Sequence, residues 1–264
     1  MSDDSTRLAV LIDADNMSAK LVKEMLDELA AYGTITVKRA YGDWSGTQLS
    51  GWREVLLGNA ISPQQQFAYT SGKNATDSAL IIDAMDLLYS GTVDGFAIVS
   101  SDSDFTPLAT RLRESGKRVI GVGQRKTPQA FVTACERFLF LEVLTQDGTP
   151  PEEVTDNPPR PIQSLITKAL NKIDTDDENW TSVSALGSHL NRTDPSFDPR
   201  NYGYNKLSDL VKGQPFVETK AVSGSSGRGT LWVRLKGRRP SGAQATAKKT
   251  PTKKAATKRT TAES

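Results

Sequence analysis

LAVLIDADN (8–16) runs five apolar residues straight into Asp13-Ala-Asp15-Asn16. An apolar run of strand length that ends in acids reads as a β-strand buried on both faces, delivering polar groups at its C-terminal end. GFAIVSSDSDF (95–105) repeats the arrangement, placing Ser101, Asp102, Ser103 and Asp104 after a second buried strand. Helical spacing fills the intervals. SAKLVKEMLDELAAYG (18–33) has an apolar stripe of Leu21, Met25, Leu29 and Tyr32 with Gly33 as a C-cap candidate, and TDSALIIDAMDLLYSG (76–91) is a second amphipathic helix. TITVKRAYG (34–42) alternates as a strand; helix at 107–117, strand at 118–123 and helix at 128–138 follow. Helices alternating with apolar strands predict an α/β fold, a mainly parallel sheet sandwiched by helices. Right-handed crossovers then bring the C-terminal strand ends to one rim, where open α/β sheets bind ligands.

That rim receives Asp13 from one strand and Asp102 and Asp104 from another. Asp77 precedes Leu80, Ile81, Ala84, Leu87 and Leu88 at spacings that align it with the buried stripe of its helix, whereas Asp86 points away. A carboxylate there either caps the helix or faces a site. Carboxylates that converge without basic partners repel one another, and a divalent cation resolves the conflict. Mg²⁺ or Mn²⁺ suits aspartates with Asn16, Ser101 and Ser103 alongside, and such an ion serves phosphodiester hydrolysis. Lys73, Arg39 and Lys126 are candidates to meet a phosphate; ordinary surface charge is the competing reading of each.

LIDADNM (11–17), GKNATDSALIIDAM (72–85) and IVSSDSDF (98–105), in this order, resemble the NYN domain, a branch of the PIN-like ribonucleases, over roughly 6–143. The resemblance implies an acidic metal site at Asp13, Asp77 and Asp102, with Asp104 as a fourth acid and Asn16 as a polar contact. It implies metal-dependent endoribonuclease cleavage, and RNA as partner. Asp15 and Asp83 rank below these four. The nuclease-like domain is taken as 6–145.

Prolines, acids and turn formers in QDGTPPEEVTDNPPRP (146–161) mark 146–160 as a linker. Beyond it, 161–236 reads as a small winged helix: helical stripes at 161–173, 181–195 and 201–213, then strand-like runs at 216–222 and 230–236 joined by SGSSGRG (223–229). The stretch 162–236, with YGYNKLSDLVKG (202–213), resembles the LOTUS (OST-HTH) domain, which implies RNA binding or docking of a protein partner. Arg228 at the wing tip is the leading phosphate contact. Tyr202 and Tyr204 are stacking candidates, against the alternative that they build the core with Trp180, Phe216 and Trp232.

Residues 238–264 carry eight basic side chains against Glu263, a net +7 that leaves the other 237 residues at −5 of the overall +2. Such an arm reads as a disordered tail contacting RNA or DNA, or as a solubilising extension. No apolar run is long enough to span a bilayer and MSDDSTRLAV lacks a secretion pattern, so a soluble, cytoplasmic protein is expected. One cysteine, Cys135, and one histidine, His189, exclude an internal disulfide and multi-cysteine zinc, leaving oxygen ligands for any metal. Cys135 is read as a buried hydrophobe. Three other functions stay open: an NYN-like module that binds RNA or a protein without cutting, a DNA-associated architectural protein, and a small-molecule phosphatase. The last rests on Asp13-Ala-Asp15, which resembles the haloacid-dehalogenase motif, but Met17 stands where that motif has Thr or Val.

Overall fold

Strand β1 (Arg7–Asp13) is buried from Leu8 onward and occupies the centre of a six-stranded parallel sheet. The computed structural model describes residues 6–67, 75–144, 159–176, 178–223 and 229–237. Lys73, Arg228, most of the linker and nearly all of the basic tail lie outside the described residues. Around β1 stand β2 (Thr34–Gly42), β3 (Ser62–Gln65), β4 (Gly95–Val99), β5 (Arg118–Gly123) and β6 (Arg137–Phe140), in the order β3-β2-β1-β4-β5-β6. Helices α1 (Val22–Leu29), α2 (Trp52–Gly58), α3 (Ala75–Ser90), α4 (Thr106–Glu114) and α5 (Gln129–Ala134) connect the strands.

Alternation along β1 divides the core. Leu8, Val10 and Ile12 pack with Met25 and Leu29 of α1 on one face; Ala9 and Leu11 pack with Leu80, Ala84 and Leu87 of α3 on the other. Two covered faces account for the unbroken apolar runs of β1 and β4, which are buried at every position from Leu8 to Asp13 and from Gly95 to Val99.

Three elements exceed the sequence expectations. β3, SPQQ, has no apolar alternation because it is an edge strand with one neighbour. α2 lies between the strand expected at 34–42 and the helix expected at 76–91, where no element is expected. The run expected as one helix at 128–138 splits: α5 stops before Cys135, whose backbone is extended, and β6 begins at Arg137. β6 fits there because Gly121 faces Phe138, where an added Cβ would lie 2.4 Å from the Phe138 ring.

A second unit contains α6 (Ile162–Leu170), β7 (Thr181–Ser182), α7 (Val183–Thr193), α8 (Leu207–Lys212), β8 (Val217–Ser223) and β9 (Gly229–Leu235). Its antiparallel sheet runs β7-β9-β8 and shares a core of Ile166, Leu186, Leu190, Leu210 and Val233 with the three helices. Trp180 is buried, flanked by Lys220 and Arg234 over its ring. Phe216 and Trp232 are half-buried. No helix among the described residues is long and apolar enough to cross a membrane.

Candidate metal centre

Asp13, the last residue of β1, is fully buried. Its Oδ2 accepts from Ser100 Oγ at 2.8 Å and Asn16 Nδ2 at 2.9 Å, and Oδ1 accepts from the Asn16 backbone N–H at 3.2 Å. Burial pushes the Asp13 carboxyl above the usual range, and these three hydrogen bonds oppose that push. Ser100 is also buried and accepts from the Asp102 backbone N–H at 3.1 Å, so one hydroxyl ties the ends of β1 and β4 together. Asp102 caps the following turn, Ser103–Phe105, by accepting from the Asp104 N–H at 2.9 Å.

The third approach comes from α3. Asp77 lies in its first turn and is buried, on the same stripe as Leu80, Ala84 and Leu87. Asp77, Asp102 and Asp104 each offer a carboxylate oxygen within 4.8 Å of the others. Burial, then the charges of Asp13, Asp102, Asp104 and Asp15, push the Asp77 carboxyl up to about 6. Asp15 is exposed, and its Oδ2 accepts from Thr76 Oγ1 at 2.7 Å, tying the β1 end to the start of α3 beside Asp77.

The donor set fits a hard dication. Opposed oxygens of an octahedral Mg²⁺ site stand about 4.2 Å apart, twice a metal–oxygen bond. An ion there would favour the ionised form of Asp77 that its neighbours disfavour.

Beside the carboxylates, a pocket of ≈ 300 Å³ is lined by Asn16, Ser101, Asp102, Ser103, Lys126 and Pro128. It gathers three of the expected polar contacts and Lys126 at one place. Arg39 is placed elsewhere: its guanidinium pairs with Asp83, which also accepts the Tyr41 hydroxyl. Burial first, then Asp83, pushes that hydroxyl's pKa far up. Asp83 thus holds β2 to α3. Trp44 and Trp52 pack edge to face at 6.4 Å, with Trp44 Nε1 donating to the Gln64 carbonyl, and Tyr202 and Tyr204 pack against the second unit's core. Cys135 is buried, its thiol pushed up to about 12 by that burial.

Ser100 and Thr76 carry no signal of their own in the sequence. Ser100 closes an apolar strand and reads as its polar terminus; only the juxtaposition of β1 and β4 shows it facing Asp13.

The profile of the NYN domain matches residues 7–142, just over half of the chain. The chain belongs to the NYN domain family. The NYN match spans β1 to β6 and includes all four candidate acids; an OST-HTH/LOTUS domain matches 154–228 after it. An uncharacterized protein of Methanocaldococcus jannaschii is 30% identical over 122 residues, which cover 44% of this chain and 47% of that protein. The chain therefore matches about half the length of this curated relative. A crystal structure of a protein of unknown function from Vibrio parahaemolyticus aligns with 19% identity and a TM-score of 0.44, covering 53% of this chain and 95% of its own. A solution structure of a Chromobacterium violaceum protein aligns at 30% identity with a TM-score of 0.26, covering 38% of this chain and 100% of its own.

Proposed function

We propose that this protein is a metal-dependent endoribonuclease that hydrolyses single-stranded RNA and carries an accessory RNA-binding unit. The observation that carries the reading is the meeting of Asp77, Asp102 and Asp104 at the rim of an NYN domain, with Asp13 buried beside them. Asp77, Asp102 and Asp104 would hold Mg²⁺ or Mn²⁺, with Asp13 supplying further negative charge from beneath. A dication bound there supplies charge neutralisation on the scissile phosphate and a lowered pKa for an attacking water.

The chain's own residues prepare the site. Asn16 and Ser100 fix the Asp13 carboxylate, and Asp102 is oriented by the turn it caps. Asn16, Ser101 and Ser103 face the pocket that receives the RNA strand, and Lys73 and Arg228 are further phosphate contacts by their sequence positions. We divide the chain into a catalytic domain at 6–145, a linker at 146–160, an OST-HTH unit of winged-helix type at 161–236 and a basic tail. The tail contacts RNA or DNA, and a cytoplasmic setting with reduced Cys135 suits the whole.

Substrate choice tests the proposal. Labelled single-stranded RNA, DNA of the same sequence, and both duplexes are incubated with protein and Mn²⁺. Cleavage confined to RNA, greatest on the single strand, supports the reading. RNA bound without cleavage of any substrate favours a binding module, and a phosphate monoester hydrolysed in preference to all four favours a phosphatase.

A further inference from the structure

The loop 124–128 leaves the C-terminal end of β5, on the same rim as Asp102. Its first residue is fastened to the site: the Gln124 N–H donates to Ser101 Oγ at 2.9 Å. Thr127 folds the loop back, its N–H and Oγ1 both donating to the Gln124 carbonyl at 2.9 and 2.6 Å. The two basic residues between them take opposite environments. Lys126 is exposed and lines the pocket with Asn16, Asp102 and Ser103. Arg125 is buried, 6% exposed, and turns toward the OST-HTH unit.

There the Arg125 guanidinium lies over the Phe140 ring at 5.3 Å and its Nη2 donates to Asn201 Oδ1 at 2.7 Å. Asn201 is itself held, donating to the Ser196 carbonyl at 3.0 Å. The neighbouring Arg200 presents a two-pronged contact to Glu28 of α1, both bonds 2.9 Å, while Asp198 holds it from behind at 2.7 Å. A third junction closes the sheet: the outward Phe138 N–H of edge strand β6 donates to the Pro195 carbonyl at 2.9 Å. Segment 195–201 thus touches a helix, an edge strand and the pocket loop of the NYN domain. A buried guanidinium needs such partners to stay in place, and the planar fork of Arg200 fixes orientation as well as distance.

We infer that the OST-HTH unit is a fixed part of the substrate site: docked on α1 through Arg200 and holding Arg125 through Asn201, it sets the 124–128 loop so that Lys126 meets a substrate phosphate beside Asp102. Lys126 is the substrate contact, and Arg125, Asn201 and Arg200 are positioning residues that act through it. This inference rests on the nuclease reading for the identity of the ligand.

The test is a mutant cycle read by binding, with cleavage followed separately. In an Asp102→Asn background that prevents turnover, fluorescence anisotropy with a labelled single-stranded RNA compares Lys126→Ala, the lock variant Glu28→Gln/Asn201→Ala, and all three changes together. Lys126→Ala is expected to weaken binding about tenfold, the size of one charge-assisted contact. The lock variant is expected to weaken it several-fold, and the triple variant no more than Lys126→Ala alone. Asn201→Asp keeps an acceptor for Arg125 while giving up the bond to the Ser196 carbonyl, and is expected to bind more tightly than Asn201→Ala, which separates positioning from misfolding. Multiplication of the two losses, a lock variant that binds normally, or a Lys126→Ala variant that binds normally overturns the inference. If the cycle is non-additive but the same variants with Asp102 intact, and the unmodified chain, cut no RNA, the nuclease reading falls and the inference stands. If the unmodified chain cuts RNA but the losses multiply, the reverse holds.

Discussion

One carboxylate oxygen of Asp77, carried by a helix, stands within 4.8 Å of one from Asp102, carried by the turn after β4. Like charges held this close by two separate elements are tolerated because burial and mutual repulsion raise Asp77 to about 6, so that protonation relieves part of the conflict.

The sign of the resulting pH dependence follows. A carboxyl whose folded-state pKa lies above its ordinary 3.8 favours the fold when protonated, so its contribution is lost as pH rises through the interval up to about 6. Metal-free protein is expected to melt higher at pH 5 than at pH 7.5. Asp77→Asn should flatten that difference and raise the melting temperature at pH 7.5. Mn²⁺ at pH 7.5 should stabilise the native chain and leave Asp77→Asn nearly unmoved. Thermal unfolding at two pH values with EDTA or Mn²⁺ decides it; a native chain more stable at pH 7.5 without metal would contradict it.

Asp83 is a structural acid on this account. Asp83→Ala strips Arg39 and the buried Tyr41 hydroxyl of their shared partner, a loss of about 1–3 kcal/mol in denaturant unfolding. Cleavage by the folded fraction should persist. Loss of activity without loss of stability would move Asp83 into the site.

Gly121 admits β6 to the sheet. Gly121→Ala places a Cβ against the Phe138 ring and Cys135 Sγ at 2.4 and 2.7 Å, and overpacking of this kind costs about 1–3 kcal/mol. An unchanged urea midpoint would show that β6 shifts without cost.

The basic tail is expected to act through charge alone. Deleting 238–264 should weaken RNA binding mostly at low salt and flatten its salt dependence by about 0.7 for each phosphate that the tail neutralises. A salt slope untouched by the deletion would leave the tail without a role in binding.

The parallel sheet and the convergence of acids were legible because they depend on local signals: apolar runs on both strand faces, acids at their ends, and the helical spacing that aligns Asp77 with Leu80 and Ala84. β3 was not, since an edge strand such as SPQQ needs no apolar pattern. β6 was hidden inside a helical reading because the signal for it, a missing side chain at Gly121, sits on another strand. Ser100, Thr76 and the Arg125–Asn201 pair share that difficulty. Each is an ordinary polar residue whose meaning comes from a partner distant in sequence. Arg39, a candidate for phosphate by its charge, has its partner in Asp83.

The most direct test of the central claim is cleavage of an end-labelled single-stranded RNA by the native chain and by Asp102→Asn, each with Mn²⁺, Mg²⁺ or EDTA. Metal-dependent cleavage by the native chain, abolished by EDTA and reduced at least a hundredfold in Asp102→Asn, is the expected result, roughly the loss of 2.7 kcal/mol or more of transition-state stabilisation. Cleavage that survives EDTA, or that Asp102→Asn retains in full, would contradict it.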